Sequence, residues 1–101
     1  MPKNQKLPKQ KEKQVKAAIK QFLDLHGIWH FHVLQGLGCY KGIPDMFAVA
    51  DKVYAIEVKT ATGRQSDHQK KFQDMWEGQG HPYILARGID DVAKIVSGGV
   101  V

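Results

Sequence analysis

The sequence predicts a fold of the α/β (α+β) class, a mixed four-stranded sheet flanked by helices in the order α-β-β-β-α-β-α, and three observations carry that expectation. Apolar residues recur at three and four spacing around Val15 to Leu23 and again around Phe72 to Trp76, the period of a helix with one buried face. Short runs rich in β-branched and aromatic residues, "IWHFHVL", "PDMFAVA", "VYAIEV" and "HPYILA", lie between and after them and read as strands. Two of these runs are parted only by Asp51 and Lys52, so tight a join that they must form an antiparallel hairpin. At 101 residues the chain is the size of one domain around one modest core.

Each element has its own local reason. Residues 1–8 hold lysines, Gln5, two prolines and a single Leu, too little apolar surface to order alone, and are expected to form a flexible basic arm ahead of one domain over 9–101. From about Pro8 a helix is predicted, with Val15, Ala18, Ile19, Phe22 and Leu23 as its apolar stripe and Gly27 as its stop. In the strand that follows, Ile28, His30 and His32 share one face, Trp29, Phe31 and Val33 the other. Gly36, Gly38 and Gly42 mark a flexible loop. The hairpin pairs Pro44 to Ala50 with Val53 to Val58. Ser66 is placed to cap a helix whose one side carries Gln69, Phe72, Met75 and Trp76, the last three at the spacing of core residues. Gly78 and Gly80 close it, "HPYILA" supplies the fourth strand, and Asp90 is the expected cap of a last helix holding Val92, Ile95 and Val96.

Fifteen Lys and Arg against ten Asp and Glu give a formal charge of +5, which favours a polyanionic partner. Cys39 is the single cysteine, so no internal disulfide forms and a reducing compartment is the simplest expectation. The first residues lack the apolar centre of a secretion signal, and no apolar run approaches membrane-spanning length. The expectation is a soluble, cytoplasmic protein with no membrane partner.

The stretch "GIPDMFAVADKVYAIEVKT" poses a chemical question, because Asp45, Glu57 and Lys59 interrupt residues that otherwise ask to be buried. Side chains alternate along a strand, so Glu57 and Lys59 share a face. A two-residue turn at Asp51 and Lys52 would set Asp45 opposite Val58, on the wrong face. A three-residue loop, a bulge, or an Asp45 just ahead of regular pairing is therefore predicted. Two carboxylates meeting in a half-buried place repel. A divalent cation removes that repulsion, and Mg²⁺ favours oxygen donors of this kind together with phosphate oxygens. Lys59 could then position a water or offset charge on a reacting phosphate. An ordinary exposed Glu–Lys strand pair, with Asp45 as a turn residue, satisfies the same spacing.

"GIPD", the twelve positions from Asp45 to Glu57, "EVK", and "SDHQ" at the start of the next helix together resemble the VRR-NUC branch of the PD-(D/E)XK nuclease superfamily, in its small stand-alone, phage-type form. The likeness runs from about Lys11 to about Ala86. It implies a restriction-endonuclease-like core and a DNA endonuclease dependent on Mg²⁺, with Mn²⁺ as a substitute. By that resemblance Asp45, Glu57 and the backbone carbonyl of Val58 are metal ligands and Lys59 is the catalytic lysine. Gln69 supports the lysine or the substrate, and Glu12 on the first helix also reaches the metal. The same resemblance implies a homodimer acting on branched DNA such as a four-way junction, encoded by a bacterial host or a phage.

Other residues offer weaker signals. His30 and His32 stand two apart on a strand, yet a structural zinc needs four ligands and no further Cys or His cluster accompanies them; an edge facing solvent or DNA suits them better. Lys16, Lys20 and Lys41 could track a phosphate backbone. Given the nuclease resemblance, Gly38, Tyr40, Lys41 and Gly42 are the expected DNA contacts of the glycine loop, with Tyr40 free either to stack on a base or to pack locally. The rival expectations are a basic nucleic-acid-binding module without chemistry and a structural subunit of a larger complex.

Overall fold

Residues 11–99 are described in a computed structural model, and the basic arm at 1–8 lies outside them. The elements are α1 (Glu12–Leu25), β1 (Trp29–His32), β2 (Met46–Val49), β3 (Val53–Val58), α2 (Asp67–Gly78), β4 (Tyr83–Ala86) and α3 (Ile89–Gly99), the order the sequence predicts. One sheet runs β1-β2-β3-β4, with β1–β2 and β2–β3 antiparallel and β3–β4 parallel. The parallel pair follows from chain economy, since α2 lies between β3 and β4 and carries the chain back to the edge at which it began.

Period-two alternation divides the sheet into two faces. Met46, Ala48, Tyr54, Ile56, Val58, Ile84 and Ala86 point to one side and join Val15, Ile19 and Leu23 of α1 and Val92 and Ile95 of α3 in the core. At about 25 cal/mol per Å² of apolar surface, this layer dominates the stability of the chain. The opposite face carries Phe47, Tyr83 and the side chain of Glu57, and there α2 packs through Phe72 and Trp76.

Four local expectations need correction. Helix α1 begins at Glu12 rather than near Pro8; Lys11, with extended backbone, precedes it, and the Gln14 side chain accepts the Lys11 N–H at 2.9 Å. Asp90 is not the cap of α3, because Ile89 is already helical. Asp91 sits one step further on and accepts the Arg87 N–H at 2.8 Å. Phe72, Met75 and Trp76 are not core: α2 buries no residue fully, Phe72 and Trp76 are half-buried, and Met75 is 57% exposed. Helical spacing fixes which side of α2 faces the sheet but not how deeply it sinks. Finally, His30 does not face solvent. Its ring lies under α1 with Nε2 2.7 Å from Asp24 Oδ1, whereas His32 is exposed.

Candidate metal centre

The hairpin decides whether two carboxylates can meet. Val49 pairs with Val53 and Met46 with Ile56, so Ala50, Asp51 and Lys52 form a three-residue loop, one of the irregularities the period-two argument predicts, closed by the Ala50 N–H on the Lys52 carbonyl at 3.0 Å. One step beyond the last pair, that register sets Asp45 opposite Glu57. Asp45 itself just precedes regular pairing, and in place of a ladder bond its Oδ2 accepts the Val58 N–H at 2.7 Å. The N–H and C=O of a strand residue lie along the same edge, so the Val58 carbonyl is directed to the Asp45 side as well.

Three carboxylates gather there. One oxygen each from Glu12, Asp45 and Glu57 lies within 4.8 Å of the others. Glu12, first residue of α1, brings its exposed carboxylate in from the helical layer, while Asp45 and Glu57 are buried. Cations flank them on two sides. Lys59, on the same strand face as Glu57, sets its Nζ 3.8 Å from Glu57 Oε2, and Lys16 on α1 sets its Nζ 3.2 Å from Asp45 Oδ1.

Gln69 is held in one orientation by the start of its own helix. Ser66 Oγ accepts the Gln69 N–H, and Gln69 Oε1 accepts the Ser66 N–H at 2.8 Å, a capping box. With its oxygen engaged there, the amide has only its NH₂ left to offer inward, and it donates to Glu57 Oε2 at 3.0 Å. Glu57 Oε2 is thus served twice, whereas Oε1 is buried with no hydrogen-bond partner. An ionised oxygen in that position costs free energy until a proton or a cation reaches it.

The protonation of Glu57 reflects this. Burial first, then the Asp45 charge and a hydrogen bond that the protonated form gives to Asp45, push its carboxyl up to about 8; Lys59 pulls it back and Glu12 adds to the rise. An all-oxygen set of three carboxylates, one with a buried free oxygen, fits a hard divalent cation such as Mg²⁺, Mn²⁺ or Ca²⁺.

Stability should follow. In the absence of divalent cations the native state keeps a proton on Glu57 that the unfolded chain gives up near pH 4.5. Stability from this group is therefore full below that value and is lost as pH rises towards 8. Melting in EDTA should drop by on the order of 10 °C between pH 5 and pH 8, and millimolar Mn²⁺ should flatten the fall. A melting temperature that holds or rises across that range would contradict the assignment.

The loop residues are placed differently. Tyr40 packs locally, its ring 6.1 Å from Phe72 and its hydroxyl 3.8 Å from Met75 Sδ. Lys41 and Gly38 are exposed. Gly42 is turned towards the first turn of α2, where a β-carbon would stand 2.2 Å from the His68 carbonyl oxygen. Two contacts to Asp45 escaped the reading of its motif: Lys16, and Gln35, whose amide lies 3.4 Å from Oδ1. Lys16 had a signal in the sequence, since it follows Glu12 by four and shares its helical face. Arg87 was missed too; its guanidinium donates to the carbonyls of Thr60 and Gly63, the latter at 2.7 Å, and braces the loop beyond Lys59.

No family model matches the sequence, and no curated protein matches it. Solved structures do match its fold. One named "VRR_NUC domain protein" superposes with a TM-score of 0.72 at 18% identity, covering 92% of this chain and 90% of that one. Another, named "VRR_NUC domain", gives 0.70 at 19% identity over 85% of this chain and 94% of that one. The chain therefore has the VRR-NUC fold, a mixed four-stranded sheet with three helices.

Proposed function

We propose that the chain is a divalent-metal-dependent endonuclease that hydrolyses DNA phosphodiester bonds, with branched DNA, four-way junctions included, as its preferred substrate and a homodimer as its working form. The observation that carries this reading is the meeting of Glu12, Asp45 and Glu57 within 4.8 Å, with the Lys59 ammonium beside them, on a fold shared with VRR-NUC domains.

Glu12, Asp45, Glu57 and the Val58 carbonyl would hold Mg²⁺ or Mn²⁺, which when bound polarises a phosphoryl oxygen and makes water a better nucleophile near neutral pH. Glu57 gives up its proton as the cation binds. Gln69 occupies Oε2 of that carboxylate with its NH₂, which leaves the unpartnered Oε1 as the oxygen to offer. Lys59 is only 16% exposed on its side chain and can hold the attacking water or meet negative charge growing on the phosphate. Lys41 and Tyr40, with the backbone at Gly38 and Gly42, would serve as DNA contacts; Lys41 and Gly38 are exposed.

Shape readout supports the branched substrate, because so small a domain has little surface with which to read a long sequence in a groove. Exposed Trp29, Phe31, Leu34 and Leu37 supply apolar surface for a second copy, which would set two sites on one junction.

The test is a panel of linear, flapped, splayed and four-way DNA incubated with Mn²⁺ or with EDTA, together with the solution mass of the free chain. Cleavage in Mn²⁺ alone, strongest on branched DNA, is the expected result. Tight binding with no nicking in Mg²⁺ or Mn²⁺ would instead make the chain a binding module, and a monomeric mass would remove the dimer.

A further inference from the structure

Lys16 lies outside the residues of the nuclease-like motif, yet its ammonium pairs with a buried carboxylate of the cluster. Its Nζ is 3.2 Å from Asp45 Oδ1, and the side chain is 33% exposed where that of Asp45 is 8% exposed. The lysine thus reaches the buried carboxylate from a position still partly open to solvent. It stands one helical turn beyond Glu12, on the same face of α1, and Lys20 stands one turn further. The two lysines are close enough to His32 that, after burial, Lys20 and then Lys16 hold its imidazole below the usual range. A basic track thus leads along α1 to the carboxylates.

Charge balance gives this arrangement a meaning. With a divalent cation in place and all three carboxylates ionised, Lys16 and Lys59 leave one positive charge in excess, the complement of a single phosphodiester. Asp45 also has little room for two cations, since its Oδ2 is already taken by the Val58 N–H. A cation on Asp45 must weaken the hold on Lys16, whose long flexible stem lets the ammonium swing outward.

We propose that Lys16 is a substrate-phosphate contact of this site, parked on Asp45 until a divalent ion displaces it. Metal entry frees the ammonium, and the freed ammonium takes a phosphate of the incoming strand. Apo protein keeps the buried Asp45 carboxylate paired, and loaded protein gains a cation for DNA at the moment it becomes competent. This inference rests on the metal-dependent reading above.

Mn²⁺ titration of the full chain, followed by calorimetry or water-proton relaxation, tests it without reference to cleavage. Lys16→Met keeps the aliphatic stem and removes the competitor, so it should bind Mn²⁺ about fivefold more tightly than wild type. In Ca²⁺, binding of a labelled four-way DNA should weaken about tenfold, with the log–log salt slope shallower by about 0.9. Lys16→Arg should restore the DNA affinity. Unchanged or weaker Mn²⁺ binding by Lys16→Met, or undiminished DNA binding, would overturn the proposal while leaving the nuclease reading standing. Wild-type protein that binds no Mn²⁺ would overturn both.

Discussion

Asp45→Asn should abolish cleavage while leaving the chain folded, and Lys59→Ala should abolish cleavage while leaving the metal bound. The two variants separate holding the cation from using it. Asn presents an oxygen that still accepts the Val58 N–H, the bond made at 2.7 Å by Oδ2, so the end of the hairpin is kept. What goes is the negative charge that, beside Glu57 and Glu12, would bind a divalent ion. Losing several kcal/mol of charge stabilisation in the transition state lowers the rate on the order of a thousandfold, at 1.36 kcal/mol per tenfold. Mn²⁺ binding should fall with it. The same substitution removes the second-largest cause of the raised Glu57 carboxyl, so in EDTA the variant should lose less stability than wild type between pH 5 and pH 8. Lys59→Ala leaves all three carboxylates in place. Its rate should drop by at least about a hundredfold, the loss typical of one charge-stabilising donor, with Mn²⁺ affinity close to wild type. An Asp45→Asn protein that cuts in Mn²⁺ at more than a tenth of the wild-type rate would remove Asp45 from the chemistry, and with it the hairpin as the seat of the site.

Much of this arrangement was legible because it follows from parity. A strand has period two, so the demand that Asp45 and Glu57 share a face excluded a regular two-residue turn and left a three-residue loop, a bulge or an early Asp45, of which the fold uses the loop Ala50 to Lys52 with Asp45 just ahead of pairing. The Ser66 cap was equally local, a side-chain oxygen three residues ahead of an N–H it can reach. Distances between elements are another matter. The spacing of α1 puts Lys16 on the face of Glu12, but which carboxylate its ammonium meets, Asp45 rather than Glu57, is settled only in three dimensions. Depth is also invisible. Phe72, Met75 and Trp76 keep the period of a buried stripe, but α2 meets β2 through Phe47 and β4 through Tyr83 and leaves β1 uncovered. Hence Trp29 is 66% exposed and Phe31 42% exposed although they continue the same aromatic row. The sign of a side chain's face was readable, and the presence of a neighbour above that face was not.

Gly42→Ala should destabilise the fold strongly, and its damage should travel to Glu57. Gly42 has φ of +85°, and a β-carbon built there would stand 2.2 Å from the His68 carbonyl oxygen, 2.4 Å from its carbon and 2.9 Å from the Gln69 nitrogen. All three are backbone atoms in the first turn of α2 and cannot turn aside as a side chain could. The methyl must push the helix start away from the loop or distort the loop itself. The backbone strain costs roughly 1–2 kcal/mol and the overpacking roughly 1–3 kcal/mol more, enough to lower melting by about 10 °C or more in a domain this small. The displaced turn is the one that carries Ser66 and Gln69, so the amide held 3.0 Å from Glu57 Oε2 moves with it. Cleavage by the surviving folded protein should therefore fall as well, below the folding midpoint and at saturating Mn²⁺. Gly38→Ala is the matched control. Gly38 has φ of +90°, yet nothing lies within 4 Å of its added β-carbon, so it suffers the backbone strain alone. If Gly42→Ala melted no lower than Gly38→Ala and cut DNA as fast, close packing of the glycine loop on α2 would not be what seats Gln69 against the carboxylates.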